Sequence, residues 1–113
     1  MILNRESLLS LPYPPPEKVD IGGERFCYVR IMSAAEKEAC EATQQKDQKS
    51  ENVNYRAILV RHTACDESGS LLFTDDDIPV LSKMSFDIIQ PLFFTAMRIN
   101  CMLTNAVDDA EKN

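Results

Sequence analysis

One short stretch limits how this chain can fold. From Ala64 it reads Ala-Cys-Asp-Glu-Ser-Gly-Ser-Leu-Leu-Phe-Thr-Asp-Asp-Asp-Ile as far as Ile78, with Leu81 three residues on. Asp66 and Ser68 can bond their own backbone, and Gly69 has no Cβ to oppose a left-handed conformation, so a helix arriving from the N-terminal side must stop here. Leu71, Leu72 and Phe73 then run back as apolar chain. Thr74 can cap a new helix, and Asp75, Asp76 and Asp77 place negative charge in its first turn, where unpaired N–H groups are partly positive. Pro79 belongs in that first turn, which makes Asp77 an alternative cap. The expectation is helix, turn, helix.

The same acidic turn suggests calcium, because Asp66, Ser68 and Ser70 fill the first, third and fifth places of a possible loop ending at Asp77. The sharp bend at the sixth place requires Gly, whereas the chain has Leu71, and the last ligand is Asp rather than a bidentate Glu. Turn and cap chemistry is therefore expected at Asp66, Gly69, Thr74 and Asp77, with a calcium-responsive binding module as the lesser alternative.

At 113 residues and 44% apolar composition the chain is expected to form one core. Three parts are expected: a helical and Pro-rich arm over 1–16, a single globular domain over 17–104, and a flexible acidic tail over 105–113. A net charge of −6 with no Lys/Arg run disfavours nucleic acid. The cysteines at 27, 40, 65 and 101 form no Cys-x-x-Cys pair, and no signal peptide is evident, so reduced and mostly buried thiols in a cytosol are expected. The most apolar window, Phe86 to Leu103, is interrupted by Asp87, Gln90, Pro91, Arg98 and Asn100, which argues against a membrane span.

Along the chain, residues 4–11 are expected to form a short helix capped by Asn4, with Leu8, Leu9 and Leu11 as apolar anchors. Pro12, Pro14, Pro15 and Pro16 impose an extended segment. A hairpin over 17–32 turns at Gly22-Gly23. Its second arm is apolar on both faces, which suggests either double cover or an edge offered to a partner. Ser33 and Glu36 have the spacing of a capping box, opening a lightly anchored, highly charged helix over 34–49 that should fray within 46–52.

A second helix is expected over 54–65, capped by Asn52 or Asn54, with Tyr55, Ile58, Leu59, His62 and Cys65 along one face. His62 and Cys65 are neighbours at that spacing. Because no orienting third group accompanies them, a core-edge histidine is the expected reading, not a nucleophilic pair. Further helices are expected over 77–84, with Ile78, Leu81 and Met84 inward, and over 87–104, with its start bent at Pro91. On the last helix Phe86, Ile89, Phe93, Ala96, Met97 and Leu103 share an apolar sector with Ile88, Leu92 and Ile99, about half the circumference, with Asp87, Pro91, Thr95 and Arg98 opposite and Phe94 and Met102 outside it. A surface helix needs a stripe only about 100° wide. Phe93, Phe94, Met97 and Met102 are therefore the candidate protein-interaction residues, and self-association is expected.

The fold expected is mainly α in an α+β arrangement, a small N-terminal β-hairpin followed by a compact bundle of about four helices. The order of these pieces resembles the tail assembly chaperones of long-tailed bacteriophages or prophages. It runs from an Arg5-Glu6-x-Leu8-Leu9 opening through strands at Val19-Asp20-Ile21 and Val29 to Ala34, a charged helix, Tyr55-Arg56-Ala57-Ile58-Leu59-Val60, the Cys65 to Asp77 segment and a last apolar helix. The resemblance implies a protein of the bacterial host cytoplasm that binds and shields the tape measure protein, helps recruit tail tube protein, and is absent from the mature virion. A structural tail or head-tail connection protein is the alternative. Since no residues assemble a nucleophile, an activated base, a phosphate cradle or a metal shell, neither an enzyme nor a cofactor is expected.

Overall fold

The computed structural model describes residues 1–48 and 54–102. Its elements follow in the order α1 (Arg5–Leu9), β1 (Glu17–Gly22), β2 (Arg25–Val29), α2 (Ala34–Gln48), α3 (Tyr55–Thr63), β3 (Ala64–Cys65), a 3-10 turn (Asp75–Asp77), α4 (Ile78–Ser82) and α5 (Phe86–Ile99). This is a mixed α+β fold, a hairpin and then helices. The expected fraying within 46–52, Asn52 as a cap, Leu103 and the tail over 105–113 fall wholly or partly outside the described residues.

The hairpin follows from its turn. Gly22 and Gly23 have positive φ, and the Asp20 carboxylate accepts from the Gly22 N–H at 2.8 Å. Strand pairing alternates as the pleat requires. Val19, Cys27 and Val29 share the inner face, with Val29 fully buried, while Lys18, Asp20, Phe26 and Tyr28 share the outer one. The outer face of the second arm is covered in part, with Tyr28 half-buried and Phe26 exposed. Lys18 Nζ sits 4.1 Å from the Phe26 ring centre, shading part of the apolar outer face.

A third strand corrects the sequence reading at two points. α3 ends at Thr63, and Ala64–Cys65 pairs antiparallel with Tyr28 and Val29, so β2 is the central strand of a three-stranded sheet ordered β1-β2-β3. Leu71 then bridges back to Cys65. The turn with Asp66, Ser68 and Gly69 thus closes a second hairpin at the sheet, not a junction between helices. Cys65 lies on a strand, not on the face of a helix. Two residues become a strand here because the unpaired backbone groups of β2 need partners, a tertiary demand that overrides local preference.

The inner face of the sheet carries the helices. α5 packs on both α3 and the hairpin, α4 on α3, and α2 on α3. Their shared core contains Val19, Val29, Met32, Cys40, Ile58, Leu59, Val60, Leu81, Ile89, Leu92 and Ala96. On α5 the side that is buried is Ile89, Leu92, Thr95 and Ala96. Thr95 is therefore inward, against expectation, because a small β-branched side chain lets the helix approach its neighbours closely. Phe86 is exposed, as are Met84 and Tyr55, all three expected inward. The helix runs through Pro91 without interruption.

Three of the expected caps close as reciprocal side-chain bonds, whereas Asn54 before α3 and Asp77 before α4 hold the N-cap positions without a side-chain capping bond. Ser33 N–H donates to Glu36 Oε1 at 2.8 Å, and Glu36 N–H to Ser33 Oγ at 3.2 Å. Asn4 and Ser7 cap α1 in the same reciprocal way. Thr74 N–H donates to Asp77 Oδ2 at 2.9 Å, so the two residues close one 3-10 turn together instead of competing as caps. α1 itself buries nothing: Leu8, Leu9 and Leu11 are exposed and anchor nothing in their own chain.

Arg30 ties the pieces together just past β2. Its guanidinium donates to Gly69 O at 2.8 Å, Glu36 Oε1 at 2.8 Å and the Tyr13 hydroxyl at 3.1 Å, and it lies 5.0 Å from the Tyr13 ring centre. The Arg30 N–H donates to Thr63 O at 3.0 Å, where α3 gives way to β3. Lys has one compact ammonium and cannot serve these acceptors and the ring at once. Arg30→Lys is expected to cost on the order of 1.5–3 kcal/mol, the loss of a hydrogen bond to a charged group. Urea denaturation measures this, and limited proteolysis should cut within 1–16 faster than in the parent chain.

Candidate binding groove

Where α3 begins beside α5, the chain leaves two neighbouring hollows. Asn54 stands at the N-cap position of α3, which brings Tyr55 and Arg56 to the opening turn of the helix. Arg56 reaches across to α5, donating from Nε to Gln90 Oε1 at 2.9 Å. Its guanidinium lies 5.2 Å from the ring centres of both Phe86 and Phe93. These rings are two helical turns apart on α5, so a cation sits between two aromatic faces, an attractive arrangement for the ring quadrupoles.

On one side of Arg56 is a hollow of about 320 Å³ bounded by Leu81, Met84, Phe86 and Ile89. On the other is one of about 380 Å³ bounded by Leu59, Phe93, Met97 and Met102, with Gln44 at its margin. Tyr55 and Arg56 border both. The two hollows are mostly apolar and share Arg56 at their common border; together they are called the groove.

Three of the four candidate interaction residues, Phe93, Met97 and Met102, meet in this groove. Phe94 does not: it is 51% exposed and stands outside the lining of both hollows. Sequence reasoning missed Arg56, Tyr55 and the α4 contribution. One signal was available, since an arginine in the first turn of a helix opposes the helix dipole, and its partner has to be sought elsewhere. Ser33, Glu36, Asp66, Gly69, Thr74 and Asp77 all lie away from the groove, in turns and caps.

The acidic turn is internally satisfied. Asp66 Oδ1 accepts from Ser68 N–H at 2.9 Å, Ser70 N–H at 3.0 Å and Ser68 Oγ at 2.6 Å. The Ser68 hydroxyl first, then the Ser70 N–H, hold the Asp66 carboxyl below the usual carboxylate range. Among the described residues, no three His, Cys, Asp or Glu side chains group as a metal site.

His62 lies on α3, whereas Cys65 lies beyond the helix on β3. Burial pushes the Cys65 thiol up to about 11, so it is not a thiolate at neutral pH. Cys40 is buried and Cys27 half-buried, while Cys101 is exposed, an exception to the expected burial; all four thiols are free. His62 is buried, and among the described residues its Nε2 has no hydrogen-bond partner, lying 4.0 Å from Asp75 Oδ1 while Arg61 takes that oxygen at 2.8 Å.

Among the described residues, no helix is long and apolar enough to cross a membrane. Compared with protein-family models, curated proteins and solved structures, the chain has no match.

Burial first, then Arg61, lowers the His62 pKa below its ordinary 6.5, against the weaker opposing pull of Asp75 and Glu36. The folded state therefore keeps His62 neutral where the unfolded chain already binds a proton. Its contribution to stability is complete above about pH 6.5 and is lost as pH falls toward the folded-state pKa. The parent chain is expected to lose more stability than His62→Gln between about pH 7 and pH 5. Denaturation midpoints at the two pH values check this, and equal losses would place His62 in water.

Proposed function

We propose that this chain is a tail assembly chaperone of the long-tailed phage type. It acts by binding, covering apolar stripes of a tape measure protein in the host cytoplasm, helping tail tube subunits assemble, and leaving before the virion matures. The observation that carries the reading is the groove split by Arg56. A groove lined by Phe93, Met97 and Met102 suits one apolar face of an amphipathic helix, the surface an unassembled tape measure exposes. Methionine adapts to successive, non-identical stripes, as a protein must when it covers one long client repeatedly. Arg56 adds an anchor for a carboxylate or aromatic ring beside the stripe.

A tape measure segment encoded in the same gene neighbourhood and co-expressed with this chain is expected to co-purify with it, while purified particles contain none of the chain. Met102 follows the end of α5 but packs in part against the core, so the fold and denaturation midpoint of Met102→Asp are measured beside its binding. Met102→Asp should weaken binding about tenfold or more, roughly 1.4 kcal/mol, whereas Phe94→Asp should change neither folding nor binding. Retained binding in Met102→Asp would remove the groove from the reading. Stoichiometric chain in purified particles would favour a structural tail protein.

A further inference from the structure

We infer that the groove receives the N-terminal arm of a second copy of this chain, and that the exchange is reciprocal. This rests on the groove being a binding surface, as proposed above, and not on the identity of the client. The arm supplies the first observation. Leu8, Leu9 and Leu11 are 57%, 69% and 55% exposed, Ile2 is exposed as well, and none of them packs on the core of its own chain. An isolated helix of five residues does not persist in water, so α1 needs a surface for its apolar side. Pro12, Pro14, Pro15 and Pro16 make the connection a stiff strut, and the Tyr13 hydroxyl fastens it to Ile31 O and to Arg30.

Charge complementarity selects the occupant. Among the described residues, Arg56 is the one charged residue lining the two hollows. Among the described residues it makes no ion pair, only the hydrogen bond to Gln90 and the contacts with two rings. α1 carries Glu6 exposed in its first turn, on the same helical side as Leu9 three residues later. Seated in the groove, α1 places Glu6 against Arg56 and its leucines among Phe93, Met97 and Met102. One arm is small beside the 1,200–2,000 Å² or so that a stable interface buries, but two arms exchanged about a two-fold axis double the contact and close the assembly. A client helix then has to displace the arm, so free chain is dimeric and loaded chain is not.

Sedimentation velocity on the full chain at rising concentration tests this with two variants. Because α1 buries nothing, a Leu8→Asp, Leu9→Asp double variant folds as the parent does, which circular dichroism verifies. The parent is expected to dimerise. The arm variant and Met102→Asp should each dimerise at least tenfold more weakly. Mixed in equal amounts they should not regain the parent's dimer, since the mixed pair holds one intact arm–groove contact where the reciprocal exchange needs two. A monomeric parent at all concentrations would mean that the arm stays in its own chain or in solvent, and a dimer unaffected by the arm variant would place the contact elsewhere; either overturns the proposal. Absence of tape measure binding beside an arm-dependent dimer would leave this inference standing and remove the client reading alone.

Discussion

The Arg30 guanidinium is the contact on which the arrangement of the other parts depends. It stands where the central strand leaves the sheet, and its donors reach the Gly69 carbonyl, the Glu36 carboxylate and the Tyr13 hydroxyl. One side chain thereby fixes the second hairpin, the start of α2 and the root of the arm relative to one another. Glu36 Oε1 accepts from both Arg30 and the Ser33 N–H, so the helix cap and the ion pair share an atom. A displaced Arg30 leaves the cap with a weaker orientation, and a displaced cap leaves Arg30 with a wandering carboxylate. Pairs of this kind gain little at an exposed surface. Here both partners are mostly covered and jointly hydrogen-bonded, which makes loss of either one expensive.

Features that close within three or four residues were legible in the sequence. The Ser33 and Glu36 box, the Asn4 cap, the Gly22-Gly23 turn and the self-bonded Asp66 turn all depend on side chains near their own backbone. Strand β3 was not legible in that way. Nothing in Thr63-Ala64-Cys65 resembles a helix stop; the Thr63 hydroxyl even bonds back to Leu59 O, as in a helix interior. The strand exists because Tyr28 and Val29 lie across from it. The available sign was the symmetry of the segment, apolar residues on both sides of Asp-x-Ser-Gly, which is the pattern of a hairpin.

The faces of α5 were legible only in part, for a reason rooted in size. Hydrophobic periodicity weights Phe and Met heavily and sets Thr among the polar residues, whereas helix packing rewards small side chains at the closest approach. Thr95 and Ala96 therefore take the buried contact with Ile89 and Leu92, while Phe86 and Phe94 are turned out. The excess apolar width of the helix was real. Its division into a packed side, a groove side and an isolated Phe94 depends on where α3 and α4 lie, which no single helix encodes.

A groove of apolar side chains in water ordinarily tends to close upon itself, and Arg56 supplies the physical reason this one stands open. Its guanidinium occupies the space between Phe86 and Phe93, held by Gln90 and by the two ring faces, so neither ring can fold onto the other. Arginine suits this place because its flat, weakly hydrated cation keeps one edge in solvent while its planes lie on aromatic rings. A helix bound as proposed would meet two apolar hollows that share one charge, which favours segments whose apolar residues flank a carboxylate and disfavours those that bring a cation to that position.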